Sequence, residues 1–209
     1  MKTQRLAFCG ASGTGKTTLA EWLSETYGLP INPVGSRSVA RAMGFDSAYD
    51  TDAAGKRAEF QLRLAREKTE WEAAHDEFIT DRTTFDNLAY SMLHGCHNVD
   101  DALFAIVGAG MERYQYVVYC PAAVFIEVGN DPDRLKNMTY QRLYDATVWG
   151  LLQKFRPPGT RLLVMPFHKL EHRKDFLRQL MGPDKPGPGS SNGQTSDSSP
   201  VSSTLAESQ

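Results

Sequence analysis

Short apolar runs alternate with amphipathic segments along the first 181 residues of the chain. Five apolar runs have the length and the flanking turn residues of buried strands, at 6–9, 31–34, 78–80, 116–120 and 161–165. Helical patterns separate these runs, at 16–27, 38–43, 55–74, 86–93, 100–113, 139–155 and 170–180. The alternation predicts an α/β fold with a five-stranded parallel sheet and helices on both faces.

The predicted helix 55–74 has two contrasting faces. Its apolar face carries Phe60, Leu64, Trp71 and Ala74, and the opposite face carries Arg57, Arg63, Arg66 and Lys68. We expect the basic face to be solvated, as most charged helix faces are. The alternative is contact with the phosphates of a polynucleotide. Further basic residues for such a contact are Lys154, Arg156 and Arg161.

The composition changes abruptly at Gly182. The last 28 residues, 182–209, contain eight serines, four glycines and four prolines and almost no apolar side chains. Such a segment cannot bury enough apolar surface to offset the entropy of ordering, which predicts a disordered tail. The folded domain is therefore expected to comprise residues 1–181.

Charge and cysteine content narrow the class of protein. The formal net charge of −2 gives no strong global field to attract nucleic acid or an anionic membrane. Three widely separated cysteines favour a reduced protein without structural disulfides. With no apolar run long enough to cross a membrane, we expect a cytoplasmic protein, in the host cytoplasm if its source is a bacteriophage.

The most informative motif is the segment from Gly10 to Thr17, which fits G-x-x-x-x-G-K-[ST] at every fixed position. A predicted strand precedes it and a predicted helix follows it, which is the context of a phosphate-binding loop. Its backbone N–H groups and the helix N-terminus favour a phosphate, Lys16 is expected to reach the β- and γ-phosphates, and Thr17 to ligate Mg²⁺. The predicted nucleotide-binding residues are Gly10, Ser12, Gly13, Thr14, Gly15, Lys16, Thr17 and Thr18.

A second candidate site follows the predicted strand 78–80. Asp81 closes this strand, and ligands of open α/β sheets bind at the carboxyl ends of the strands. A carboxylate there can hold Mg²⁺ or accept a proton from an attacking hydroxyl. The adjacent Arg82 has a planar guanidinium suited to a phosphate or carboxylate on the acceptor.

These motifs resemble those of the small P-loop kinases of nucleosides and nucleotides. Residues 81–90 are similar to the DR[ST]..DNLAY segment of that group, and residues 36–44 resemble its segment after the second strand. The similarity is greatest to the ATPase/kinase branch with nicotinamide-riboside kinase domains and many bacteriophage nucleotide kinases. It extends over residues 4–181 and implies a three-layer P-loop kinase fold with an arginine-bearing lid at about 129–156.

The resemblance also implies roles for individual residues. ATP would be the donor, with Mg²⁺ held by Thr17 and Asp81. The implied catalytic residues are Lys16, Asp81, Arg82 and Arg134, where Arg134 lies at the entry to the lid. The implied acceptor-binding residues are Arg37, Arg82, Asp86 and Arg142, and Asp86 is also the expected N-cap of helix 86–93.

One departure from the family leaves the acceptor open. Many nucleoside kinases have an acidic residue at the end of the second strand, whereas residues 31–36 contain no carboxylate. Asp81 is then the main candidate base. The reserve candidates in the following loop are Asp46, Asp50 and Asp52.

Two acceptors and one non-kinase alternative follow from the sequence. The acceptor is a free nucleoside or nucleotide, or a hydroxymethylated pyrimidine in bacteriophage DNA, since some similar kinases modify that base. The alternative is a regulatory ATPase without an acceptor. An Asn-Lys-x-Asp run for guanine is missing, and Asp81 is followed by arginine instead of the Asp-Glu pair of hydrolytic ATPases.

Overall fold

The computed structural model describes residues 4–96, 100–122, 137–166 and 168–182. The predicted lid before residue 137, including Arg134, and the predicted tail from residue 183 onward lie outside these ranges. The elements in chain order are β1 (Arg5–Cys9), α1 (Lys16–Tyr27), α2 (Ser36–Ala42), α3 (Asp50–Ala53), α4 (Arg57–Ala73), β2 (Phe78–Asp81), α5 (Thr84–Leu93), α6 (Asp100–Met111), β3 (Tyr116–Tyr119), α7 (Met138–Phe155), β4 (Arg161–Val164) and α8 (Leu170–Met181).

The strands form one parallel sheet in the order β2-β1-β3-β4. The register pairs Phe8 of β1 with Asp81 of β2, so the phosphate-loop strand and the strand carrying the acidic residue end side by side. The predicted parallel α/β fold is therefore confirmed. Within the described residues the sheet has four strands, not the expected five.

The missing strand is reduced to a single bridge at the outer edge of β2. Ile31 pairs with Ile79, and the segment makes two backbone hydrogen bonds there, from Asn32 N–H to the Ile79 carbonyl (2.8 Å) and from Ile79 N–H to the Pro30 carbonyl (2.9 Å). Pro33 has no N–H to continue a ladder. The Asn32 side chain also accepts a hydrogen bond from Val34 N–H (2.9 Å), which turns the chain away.

Alternate residues of the strands supply two hydrophobic cores, one on each face of the sheet. Ala7 and Cys9 point to the face covered by helices α4, α5, α6 and α7, where Tyr144 of α7 is fully buried. Leu6 and Phe8 point to the face covered by α1 and α8. The two-sided burial explains why the strands read as continuous apolar runs. No helix in the described ranges is both long and apolar enough to cross a membrane.

Two local expectations are corrected by the packing. Arg57 and Lys68 do not lie on a solvated face of α4, because both are buried against carboxylates, Arg57 with Asp52 and Lys68 with Glu72. Thr83, rather than Asp86, is the N-cap of α5. Asp86 occupies the third helical position, and its carboxylate accepts hydrogen bonds from the N–H and hydroxyl of Thr83 (both 2.8 Å).

Candidate active site

The phosphate-binding loop connects β1 to α1 through three glycines with positive φ. Gly10, Gly13 and Gly15 have φ angles of 115°, 76° and 77°. A Cβ at Gly10 would overlap the carbonyl oxygen of Cys120. The chain can therefore pass this close to the end of β3 only because residue 10 has no side chain. Thr17 and Thr18 lie exposed in the first turn of α1, whose N-terminus faces the loop.

Lys16 lies folded back over the loop in this structure. Its ammonium donates hydrogen bonds to the Ala11 carbonyl (2.5 Å) and to the Thr14 hydroxyl (3.1 Å), and the residue is 4% exposed. Burial, and then the nearby Arg82 guanidinium, lower the pKa of Lys16, while the Asp81 carboxylate opposes that shift. Among the described residues, no carboxylate is hydrogen-bonded to this ammonium. An anionic ligand in the loop would therefore relieve the cost of its burial.

Thr17 and Asp81 are brought together, as the sequence implies for a metal site. The Thr17 hydroxyl donates a hydrogen bond to Asp81 Oδ2 over 2.5 Å. The other carboxylate oxygen, Asp81 Oδ1, is buried and has no hydrogen-bond partner. An orphaned buried carboxylate oxygen beside a hydroxyl is an oxygen donor set of the kind that Mg²⁺ prefers, so these two residues fit the implied cation.

Arg82 turns back from the end of β2 onto the phosphate-binding loop. Its guanidinium donates hydrogen bonds to the Ser12 hydroxyl (3.0 Å) and, more weakly, to the Gly10 carbonyl (3.4 Å). It also lies over the rings of Tyr90 and Tyr144, 5.4 and 5.7 Å from their centroids. The φ of Arg82 is 101°, the one positive value at a non-glycine residue in the described chain. Such a backbone costs of order 1–3 kcal/mol and is typical of functional sites.

Asp86, an expected acceptor-binding residue, lies against the Arg82 guanidinium. It is 1% exposed, and Oδ1 accepts hydrogen bonds from the Tyr144 hydroxyl (2.5 Å) and from Arg82 (3.2 Å). The Tyr144 hydroxyl in turn accepts a hydrogen bond from Arg82 over 2.9 Å. Burial, followed by the Asp86 charge, raises the pKa of Tyr144 well above its ordinary value. The Asp86 carboxylate is thus engaged by Arg82, Thr83 and Tyr144, and its contact with an acceptor stays a prediction.

The other implied acceptor residues are at the surface. Arg37 is exposed on α2, and Arg142 is exposed on α7. Two of the three reserve carboxylates, Asp50 and Asp52, are engaged locally. Asp50 accepts hydrogen bonds from Ser47 N–H and its hydroxyl, and Asp52 pairs with Arg57 (2.7 Å) and His94 (3.2 Å). The third, Asp46, is exposed.

Two residues that contact the loop were missed from the sequence. Gln141, the neighbour of Arg142 on α7, accepts a hydrogen bond from Ser12 N–H over 3.0 Å and is 3% exposed. Arg173 of α8 donates to the Thr14 carbonyl over 2.6 Å and is 2% exposed. Only one sequence signal could have indicated Arg173, its place at a core position of α8 one turn before Leu177.

Comparison with known proteins identifies a family and a shared fold. A family model described as an AAA domain matches residues 5–165. No curated protein sequence is significantly similar to the chain. Several solved structures share its fold, and they include a NadR protein and two nucleoside or nucleotide kinases.

The NadR protein in complex with NAD and AMP-PNP aligns with a TM-score of 0.57 at 14% identity, over 88% of this chain and 51% of that chain. The chain thus spans about half the length of NadR. Deoxyadenosine kinase from M. mycoides aligns with a TM-score of 0.55 at 13% identity, covering 84% and 97% of the two chains. Thymidylate kinase from Candida albicans aligns at 0.56 and 13%, covering 86% and 91%. At such identities the likeness shows the fold, and it confirms the expected P-loop kinase architecture.

Proposed function

The chain belongs to the AAA domain family, and on this premise we propose that it is an ATP-dependent kinase acting on a nucleoside- or nucleotide-type acceptor. One observation carries the proposal. Thr17, at the end of the phosphate-binding loop, is hydrogen-bonded to Asp81, and the guanidinium of Arg82 donates a hydrogen bond to Ser12 of the same loop. The proposed kinase domain is residues 1–181, with a lid at about 129–156 that contains Arg134.

The loop and Lys16 would hold the donor phosphates. Phosphoryl transfer requires positioning and neutralisation of charge more than covalent chemistry. The ammonium of Lys16, already desolvated, would exchange its contact with the Ala11 carbonyl for the β- and γ-phosphates. Thr17 and Asp81 would hold Mg²⁺, which when bound neutralises charge on the phosphate oxygens.

Arg82 would act at the transferred phosphoryl group. Its guanidinium already donates a hydrogen bond to Ser12 of the loop, and contacts with Asp86 and Tyr144 fix its direction. A guanidinium held in this way can stabilise charge that develops during transfer without reorganising. Asp81 remains the main candidate base and exposed Asp46 the reserve candidate, because Asp50 and Asp52 are engaged by neighbouring groups.

The acceptor class rests on the fold and on the solved neighbours. Those neighbours include a deoxyadenosine kinase, a thymidylate kinase and a shikimate kinase, and NadR has also been solved with NR. Nothing in the described residues supports a base in DNA as the acceptor. Arg57 and Lys68 are buried, so two of the four basic side chains of α4 that were considered for phosphate contacts are not available to a polynucleotide. Free nucleosides and nucleotides are therefore the proposed substrates.

The test is transfer of label from γ-labelled ATP to a panel of nucleosides, nucleoside monophosphates, NR, shikimate and hydroxymethylated DNA. We expect label in one free nucleoside or nucleotide. Lys16→Ala should reduce this transfer by at least about a hundredfold, while the matched Lys56→Ala variant, on an exposed side chain, should leave it unchanged.

Each other result has a defined meaning. Label in DNA alone would overturn the proposed acceptor. ATP hydrolysis that no acceptor stimulates would overturn the kinase assignment in favour of a regulatory ATPase. Transfer by Lys16→Ala at the native rate would overturn the placement of the active site.

A further inference from the structure

Arg173 is a buried cation on the last helix that contacts the backbone of the phosphate-binding loop. Its Nη1 donates a hydrogen bond of 2.6 Å to the carbonyl oxygen of Thr14, 159 residues earlier in the chain. A Cβ built at Gly15 would lie 2.9 Å from the same nitrogen. The approach of the guanidinium therefore depends on the glycine that follows Thr14.

The contact fixes the orientation of one peptide plane in the loop. The peptide between Thr14 and Gly15 is planar and trans, so its C=O and N–H point in opposite directions. Because the Thr14 carbonyl points at the Arg173 guanidinium, the N–H of Gly15 points away from that guanidinium, in the opposite direction within the peptide plane. Because Gly15 at φ 77° has little intrinsic preference for one orientation, an external restraint is needed.

Helix α8 is firmly attached to the rest of the domain, so it can supply this restraint. Leu177, one turn after Arg173, is fully buried in the same core as Leu19 and Leu23 of α1. Beyond its end, the Gly182 carbonyl accepts a hydrogen bond from the Tyr27 hydroxyl at the end of α1 (3.1 Å). These contacts hold the second half of α8 against α1.

We infer that Arg173 is a positioning residue for the donor-phosphate cradle, which sets the Gly15 N–H as a phosphate donor and adds a buried cation on the opposite side of the same peptide. This inference rests on the proposed binding of a nucleoside triphosphate. It assigns to α8 a role in polyphosphate affinity, whereas a purely structural role would affect only stability. We therefore expect Arg173 to affect the binding of the phosphate chain and not that of the adenosine.

The test compares Arg173→Met, Arg173→Lys and the control Arg178→Met, which removes an exposed guanidinium from the same helix. Calorimetric titration measures the dissociation constants of ATP and of inorganic tripolyphosphate. We expect Arg173→Met to weaken both ligands by at least about tenfold and by similar factors. Arg173→Lys should recover part of the loss because it retains a cationic donor, and Arg178→Met should bind both ligands as the native protein does.

The outcomes separate the inference from the function on which it rests. Failure of the native protein to bind either ligand would overturn the proposed function. Native affinity in Arg173→Met, with or without a lower unfolding midpoint, would overturn the role of Arg173 alone, as would weakened binding of ATP with unchanged binding of tripolyphosphate. If Arg173→Met does not fold, Arg173→Gln decides, because it removes the charge at the same position: native affinity for tripolyphosphate in that variant would overturn the inference.

Discussion

Replacing Gly10 by alanine tests whether the close approach of β1 and β3 at the start of the phosphate-binding loop excludes a side chain. At φ 115°, an L-residue incurs a backbone cost of about 1–3 kcal/mol. The new methyl group would also overlap the carbonyl oxygen of Cys120 and lie 3.1 Å from its carbonyl carbon. Overpacking of this kind costs a further 1–3 kcal/mol or so.

The cost cannot be avoided by a small shift of a side chain, since the obstructing atoms are backbone. Cys120 N–H donates a hydrogen bond of 2.9 Å to the Cys9 carbonyl, immediately before Gly10. Moving β3 away to make room would lengthen this buried bond. We therefore expect Gly10→Ala to lower the free energy of unfolding by about 4 kcal/mol, a large part of the stability of an ordinary domain.

Gly28 provides a matched control. It also has a positive φ, 67°, but a Cβ there meets no atom within 4 Å. Gly28→Ala should therefore lose only the backbone contribution, about 1–2 kcal/mol. Urea unfolding of both variants without nucleotide gives the comparison. Equal losses in the two variants would refute the argument that close approach of β1 and β3 sets the start of the loop.

Three further predictions concern the loop and the buried charges. Gln141→Glu should weaken ATP binding at least about tenfold in calorimetric titrations, because it places a negative charge beside the Ser12 N–H, where it would repel the phosphates. Unchanged affinity would show that position 141 does not lie close to the bound phosphates. ATP affinity should fall as pH rises through the lowered pKa of Lys16, since bound phosphates favour its charged form, and Lys16→Met should lose this pH dependence of the dissociation constant. Lys68→Met should lower the free energy of unfolding by about 3–5 kcal/mol, because it leaves the buried Glu72 carboxylate without its counter-charge. In urea titrations the double variant Lys68→Met/Glu72→Gln should recover part of this lost stability. No recovery would contradict the conclusion that the loss comes from the uncompensated charge of Glu72.

The phosphate-binding loop and its flanking elements were predictable because their determinants are local. The strand, the glycines and helix α1 lie within residues 5–27, and the motif requires no distant contact. The pairing of Thr17 with Asp81 was also predictable, because parallel strands bring their carboxyl ends together at one edge of the sheet. General topology was sufficient for that contact.

Contacts made by long-range packing could not be read from the sequence. Gln141 and Arg173 reach the loop from 129 and 159 residues away, and neither belongs to a motif. The basic residues of α4 were expected to face solvent because charged helix faces usually do, but Arg57 and Lys68 are buried with Asp52 and Glu72 as partners. Periodicity identifies a helix, whereas the partner of each buried charge depends on the tertiary arrangement.

The single bridge at Ile31 has a consequence for how copies of the domain behave at high concentration. Strand β2 lies at one end of the sheet, where an open row of N–H and C=O groups would invite pairing with a strand of another molecule. The segment around Ile31 covers that row with two hydrogen bonds, and prolines at positions 30 and 33 bracket it. Neither proline can donate to an incoming strand. The segment around Ile31 is too short to form a fifth strand, but we expect it to block pairing between β2 and a strand of another molecule and so to oppose edge-to-edge aggregation.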